Sequence, residues 1–314
     1  MQKTFTTYNG KRIDFDVIID ETLLTLQLPG INPNKKALFS LANDFESGMW
    51  RKDKFCNFIW DNIKETALSE DERKALIGKE LSSLAKSARN VVFRDNDEDD
   101  KGGEVGEILL YGILRHYYSA LPVVPKIFYK QNTQDYAKGA DSVHIVLEQD
   151  NSFSIWLGEA KFYSALDNAR FDKILKSVET MLDDVKLKKE FNIVTSIKDL
   201  EDLIPNKDIF EEIKIALADG ISLDVIKTKL HVPILLLHEC SVTANYSGSM
   251  QAYRENIRRH HLAIAEQFIK KQELKLSGIF GYNDICFHLI LFPVPNKKDI
   301  VEIFRKKIIT FREN

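Results

Sequence analysis

Cysteine is scarce in this chain. Cys56, Cys240 and Cys286 are the only three, odd in number and far apart. None belongs to a Cys-x-x-Cys pair, which leaves neither a disulfide framework nor a zinc-ligand spacing. A reduced, cytoplasmic protein is the expectation. No run of about 18 apolar residues occurs, so no membrane-spanning helix is expected. Residues 1–8 lack the basic segment and apolar core of a secretory signal. A net basic charge is missing as well: 44 Lys and Arg stand against 47 Asp and Glu, a formal charge of −3. Any nucleic-acid surface must then be a local patch. There is no internal repeat, and the only biased tract is one short acidic stretch.

That stretch, Asp-Asn-Asp-Glu-Asp-Asp-Lys-Gly-Gly from Asp95 to Gly103, is charged and then flexible, as linkers are. At 314 residues the chain exceeds a comfortable single core. The expectation is a smaller α+β domain over residues 1–95 for partner docking or regulation, a linker over 96–103, and a larger domain over 104–314. In the first part, Ile13, Phe15 and Val17, then Leu23, Leu24 and Leu26, suggest β structure within residues 11–28. Residues 37–60 read as helix or loop, and residues 71–88 as helix.

In the second part, Ile108, Leu109, Ile113, Leu114 and Tyr117 mark a helix over 105–118, ended by Leu121-Pro122. Three strands are predicted at 123–129, 142–147 and 153–161, separated by loops rich in Asn, Asp, Gln and Gly. Apolar residues from Phe171 to Val185 at three- and four-residue steps predict an amphipathic helix over 167–186. Two shorter helices follow within 203–230. A strand at 232–238, a helix at 253–271, a strand at 285–292 and a helix at 297–310 complete the chain. The fold class is α/β (α+β), a central mixed sheet flanked by helices.

Gly139-Ala140-Asp141 stands at one strand start, and Gly158-Glu159-Ala160-Lys161 on the next strand. Strand alternation puts Glu159 and Lys161 on one face. With Asp141 beside Glu159, two carboxylates meet at one point with a cation next to them. Asp141, Glu159 and the backbone carbonyl of Ala160 supply the hard oxygen ligands that Mg²⁺ (or Mn²⁺) prefers. Lys161 can orient or deprotonate an attacking water and stabilise the charge growing on a phosphorane. An incidental surface ion pair is the alternative, but these charges end an otherwise apolar strand, where ionised groups need partners. Glu107, with Glu104 as the alternative, offers a helix acid ahead of the sheet, although the helix macrodipole alone favours acids there.

Further candidates have equally ordinary readings. His144 falls on the opposite strand face from Asp141, where a histidine usually packs. Tyr163 continues the Glu159 face and either touches a nucleotide or caps the core. Arg258-Arg259-His260-His261, with Lys270 and Lys271, is a cationic helix surface that suits phosphates or plain solvation. Lys126, Lys130 and Lys138 make a second track. His238, Glu239 and Cys240 lack partners at ligand spacing, which favours packing.

The motifs Gly-Glu-x-Gly-Glu (residues 103–107), Gly-Ala-Asp-x-x-His (139–144) and Leu-Gly-Glu-Ala-Lys-x-Tyr (157–163), in this element order, resemble the PD-(D/E)xK nuclease superfamily. More closely they are similar to the HamA effector family of the Hachiman anti-phage system. The resemblance spans residues 101–190. It implies a restriction-endonuclease-like core, with Asp141 and Glu159 as metal ligands, Lys161 as catalytic lysine and Glu107 or Glu104 as helix acid. It also implies DNA hydrolysis in antiviral defence beside a superfamily 2-type helicase, HamB. Two other readings stay open. One is a restriction or repair nuclease with its own target recognition; the other is a non-catalytic DNA-binding or partner-docking subunit.

Overall fold

The computed structural model describes residues 14–93, 101–129, 139–150, 152–196, 200–204, 206–218 and 221–313. Among these the strands are β1 (Asp16–Thr22), β2 (Lys36–Ala42), β3 (Phe45–Glu46), β4 (Met49–Trp50), β5 (Leu121–Val124), β6 (Ser142–Leu147), β7 (Phe153–Tyr163), β8 (Leu230–Glu239) and β9 (Cys286–Val294). The longer helices are α1 (Lys52–Asp61), α2 (Glu80–Asn90), α3 (Gly103–Tyr118), α4 (Asn168–Met181), α5 (Asp184–Ser196), α6 (Met250–Leu276) and α7 (Lys297–Glu313). Seven strands form one mixed sheet in the order β1-β2-β9-β8-β7-β6-β5, and β3 and β4 make a separate hairpin. β5, β6 and β7 are an antiparallel meander. β7, β8, β9 and β2 run parallel, and β1 closes the far edge antiparallel.

Each face of the sheet carries its own core. Phe171, Ile174 and Val178 of α4 and Ile264, Phe268 and Ile269 of α6 cover one side, against Ile155, Leu157, Ile234 and Leu236. Val105, Leu109 and Ile113 of α3, with Phe55 of α1 and Phe304 of α7, cover the other, against Trp156, Ala160, Phe162 and Leu235. Each such side chain removed from water contributes on the order of 2 kcal/mol. Strands buried on both faces lose their alternation, which is why β8 reads as a continuous apolar run.

β2 is the main departure from expectation. All seven of its residues are buried, in a segment expected as helix or loop, because a short apolar run carries no period that separates strand from helix. Leu23–Leu26 is a helical turn and not part of a strand; the Thr22 side chain accepts the Thr25 N–H and caps it. The expected 71–88 helix is two helices, Glu70–Ala75 and α2, parted near Gly78 at φ +75°. The 167–186 helix ends at Met181, and α5 begins at Asp184. The strand expected at 123–129 is shorter and earlier: β5 ends at Val124, and Lys126–Tyr129 is a helical turn, while Pro122 sits in an edge strand and costs no interior ladder bond. Residues 1–95 were expected to form a separate domain, yet β1 and β2 join the common sheet through β9 and contribute to both cores. Most of the expected linker, residues 96–100, lies outside the described residues. No helix among the described residues is long and apolar enough to cross a membrane.

Candidate active site

β6 starts at Ser142, directly opposite Gly158 of β7. The approach is tight: a Cβ on Gly158 would lie 2.2 Å from Ser142 Oγ and 2.8 Å from Leu110 Cδ2, so any side chain there would have to displace both. One residue earlier, the Asp141 N–H donates to the Gly158 carbonyl at 2.8 Å. From Glu159 onward β7 continues along β8 with no β6 residue on its other side. Asp141 substitutes for the ended strand, its Oδ2 accepting the Ala160 N–H at 3.0 Å. A strand residue directs its N–H and C=O to the same edge, so the Ala160 carbonyl faces the opening beside Asp141.

Glu159 and Lys161 project from the α4 side of β7, between Leu157 and Tyr163 of that core. Lys161 Nζ lies 2.6 Å from Glu159 Oε1 and 3.7 Å from Asp141 Oδ2. Ser177, from α4, lies near Glu159 and favours its ionised form. Glu159 is only 2% exposed. Burial, reinforced by the Asp141 charge and opposed by Lys161, pushes its carboxyl up to about 7. For Lys161, burial disfavours the charged form, but Asp141 and Glu159 outweigh it and hold the ammonium above the usual lysine range.

Two carboxylates and one carbonyl at an open strand edge are a hard-oxygen donor set that fits Mg²⁺ or Mn²⁺. A buried carboxyl with a raised pKa beside a second carboxylate marks excess negative charge that a divalent cation would neutralise. Among the described residues, no group of three or more His, Cys, Asp or Glu could hold a metal. Glu104 is buried and Glu107 half-buried. They belong to α3, whose Gly106 packs over Ala160 and Lys161 backbone from the opposite face of β7.

Two of the expected nucleic-acid contacts, Lys126 and Tyr163, are buried. Lys126 is 2% exposed and donates to both oxygens of Glu190, at 3.0 and 2.7 Å. Lys130 and Lys138 lie outside the described residues. Tyr163 is buried, with the Arg170 guanidinium 5.7 Å from its ring centroid. Arg258 donates to Glu21 Oε1 at 2.7 Å and to the Ile18 carbonyl at 3.3 Å, binding α6 to β1, four strands from β7. Arg259 donates to Asn256 in its own helix. Ser177 escaped notice in the sequence. Its only signal is a hydroxyl beside the apolar stripe of an amphipathic helix.

The histidines pack. His144 is fully buried on the α3 side, its ring 4.5 Å from that of Tyr111, and burial pushes it down to about 3. His238 Nδ1 lies 3.0 Å from the Glu239 carbonyl, so the proton belongs on Nδ1 and Nε2 accepts. His261 Nε2, 3.2 Å away, is then the donor, and its Nδ1 accepts the Ser40 hydroxyl at 2.6 Å. This relay joins β8, α6 and β2. Burial holds both rings neutral. Glu239 Oε1 accepts the Lys297 N–H at the start of α7, at 2.6 Å. The Cys240 thiol is pushed up by burial and pulled lower still by its hydrogen bond with His260.

No curated protein matches the sequence. A sequence model of the HamA family matches residues 14–308, a span that contains both cores and the Asp141, Glu159 and Lys161 constellation. The match covers nearly the whole described sheet, from β1 into α7, and so the chain belongs to the HamA family, which implies a component of Hachiman anti-phage defence.

Proposed function

We propose that the chain is a metal-dependent nuclease of the PD-(D/E)xK type, hydrolysing DNA phosphodiesters as the Hachiman effector and restrained by a HamB-type helicase partner. One observation carries this reading: Asp141 accepts the Ala160 N–H at the open edge of β7, and the Lys161 ammonium contacts both Asp141 and Glu159. The order α3, meander β5 to β7, α4 and α5, then parallel β8 supports the nuclease core. Asp141, Glu159 and the Ala160 carbonyl would hold Mg²⁺ or Mn²⁺, which when bound polarises the phosphodiester and makes the attacking water more acidic.

The remaining work falls to the chain itself. The Ala160 N–H fixes the Asp141 carboxylate, and the Lys161 ammonium holds Glu159. Glu159 sheds its proton as pH rises through about 7, so cation binding tightens over that range. Lys161 keeps its proton at neutral pH because two carboxylates face it. Its role is then to stabilise charge on the phosphorane oxygens and not to act as a base. Restraint by a partner answers the need to spare host DNA from such an activity.

Plasmid cleavage by the purified chain, with Mg²⁺ or with EDTA and with or without the helicase, tests the reading. Cleavage should require Mg²⁺ and fall by about a hundredfold or more in Lys161→Ala. Activity indifferent to chelation or to that substitution refutes it. The Lys161 ammonium already pairs with both Glu159 and Asp141, which favours a second reading, a DNA-binding or partner-docking subunit on a nuclease scaffold. Absence of Mg²⁺ binding by calorimetry, with phage defence intact in a Glu159→Ala strain, selects that one.

A further inference from the structure

The Lys126–Glu190 pair is buried on both sides, at 2% and 3% side-chain exposure, with both Glu190 oxygens on the Lys126 ammonium. Such a pair contributes little net stability, because desolvating both charges offsets their attraction. Its placement is more informative than its energy. Lys126 starts the helical turn Lys126–Tyr129, Glu190 lies in α5, and the carboxylate of Glu190 presses on Gly139. A Cβ on Gly139 would stand 1.7 Å from Glu190 Oε1 and 2.8 Å from its Cδ. An ordinary glutamate tip would swing aside from a methyl group. This one is held by two hydrogen bonds inside the protein and cannot.

Gly139 is two residues from Asp141, and between them Ala140 is 1% exposed in the same core. The turn that delivers Asp141 to β7 is thus seated on Glu190 at one end and on the Gly158 carbonyl at the other. We propose that the buried Lys126–Glu190 pair, with Gly139 packed on it, is a clamp that positions the Asp141 carboxylate against Ala160 and Lys161. Lys126, which the sequence offered as a phosphate contact, acts from inside the protein. Its catalytic consequence rests on the nuclease reading of Asp141; its structural content does not.

The Ala160 amide reports the clamp directly, since its hydrogen-bond acceptor is the Asp141 carboxylate. Lys126→Met combined with Glu190→Ala removes the seat and leaves no orphaned charge. In NMR-detected hydrogen exchange of the full chain without metal, the Ala160 amide should exchange at least about tenfold faster in that variant. The Leu235 and Leu236 amides, in central β8, should keep their wild-type rates. Gly139→Ala, which displaces the turn from the other side, should give the same selective acceleration and carries the test alone if the double variant does not fold. Unchanged Ala160 exchange overturns the clamp, and so does equal acceleration at Leu235 and Leu236, which would mark general destabilisation. Mg²⁺-dependent cleavage is read in parallel. A wild-type chain that does not cleave sinks the nuclease reading, while the exchange rates still decide the clamp.

Discussion

Replacing Glu159 with Gln should stabilise the metal-free protein, although the change deletes a 2.6 Å ion pair with Lys161. Glu159 is 2% exposed, and its carboxyl is raised from an ordinary 4.5 to about 7, by burial first and by Asp141 second. That difference disfavours the ionised form in the folded protein by about 3 kcal/mol. The attraction of Lys161 is already included, because it is among the interactions that set the pKa. The sign follows from linkage. A folded-state pKa above the unfolded one means that the contribution to stability is fully present below about pH 4.5 and is lost as pH rises through about 7. Glutamine has the shape of the protonated acid and no such dependence.

The Gln variant should therefore gain about 3 kcal/mol over wild type at pH 8 and under about 1 kcal/mol at pH 5. At about 2 °C per kcal/mol for a chain of this size, that is about 6 °C in melting temperature at pH 8. Urea and thermal unfolding in EDTA at the two pH values measure it. A variant less stable than wild type at pH 8, or a gain equal at both pH values, would refute the account of Glu159 as a carboxylate held at a cost. Added Mg²⁺ should stabilise the wild type and leave the Gln variant nearly unmoved, since one ligand is gone.

Ser177→Ala removes a hydroxyl that favours the ionised Glu159, so the Glu159 midpoint should rise above its present value near 7. The acid limb of the cleavage profile should follow it upward, with Ser177→Thr restoring the original position; a stationary limb would separate Ser177 from the site. His261→Phe leaves the Ser40 hydroxyl and His238 Nε2 buried without their partner and should cost about 2–4 kcal/mol in urea unfolding. A loss below about 1 kcal/mol would show that the relay does not join the three elements.

The pairing of Glu159 with Lys161, and the nearness of Asp141, were legible because both depend on local rules. Side chains alternate along a strand, and a short hairpin sets Ser142 against Gly158. The helices α3, α4, α6 and α7 were legible for a similar reason, their apolar residues recurring with the helical period. β2 was not, because a segment buried on both faces has no period to read. Which face a helix covers is likewise invisible in sequence. Glu104 and Glu107 precede the sheet in the chain as a helix acid should, yet α3 packs on the side of β7 away from Glu159. Lys126 and Arg258 are ordinary cations until the fold supplies Glu190 and Glu21 as partners from 64 and 237 residues away. By itself the sequence determined which residues could do chemistry and which of them share a strand face, since both follow from covalent geometry. Only the tertiary structure decided which charges are neutralised, which face of β7 each helix covers, and that Gly139 rests on a buried ion pair, because those depend on contacts between distant segments.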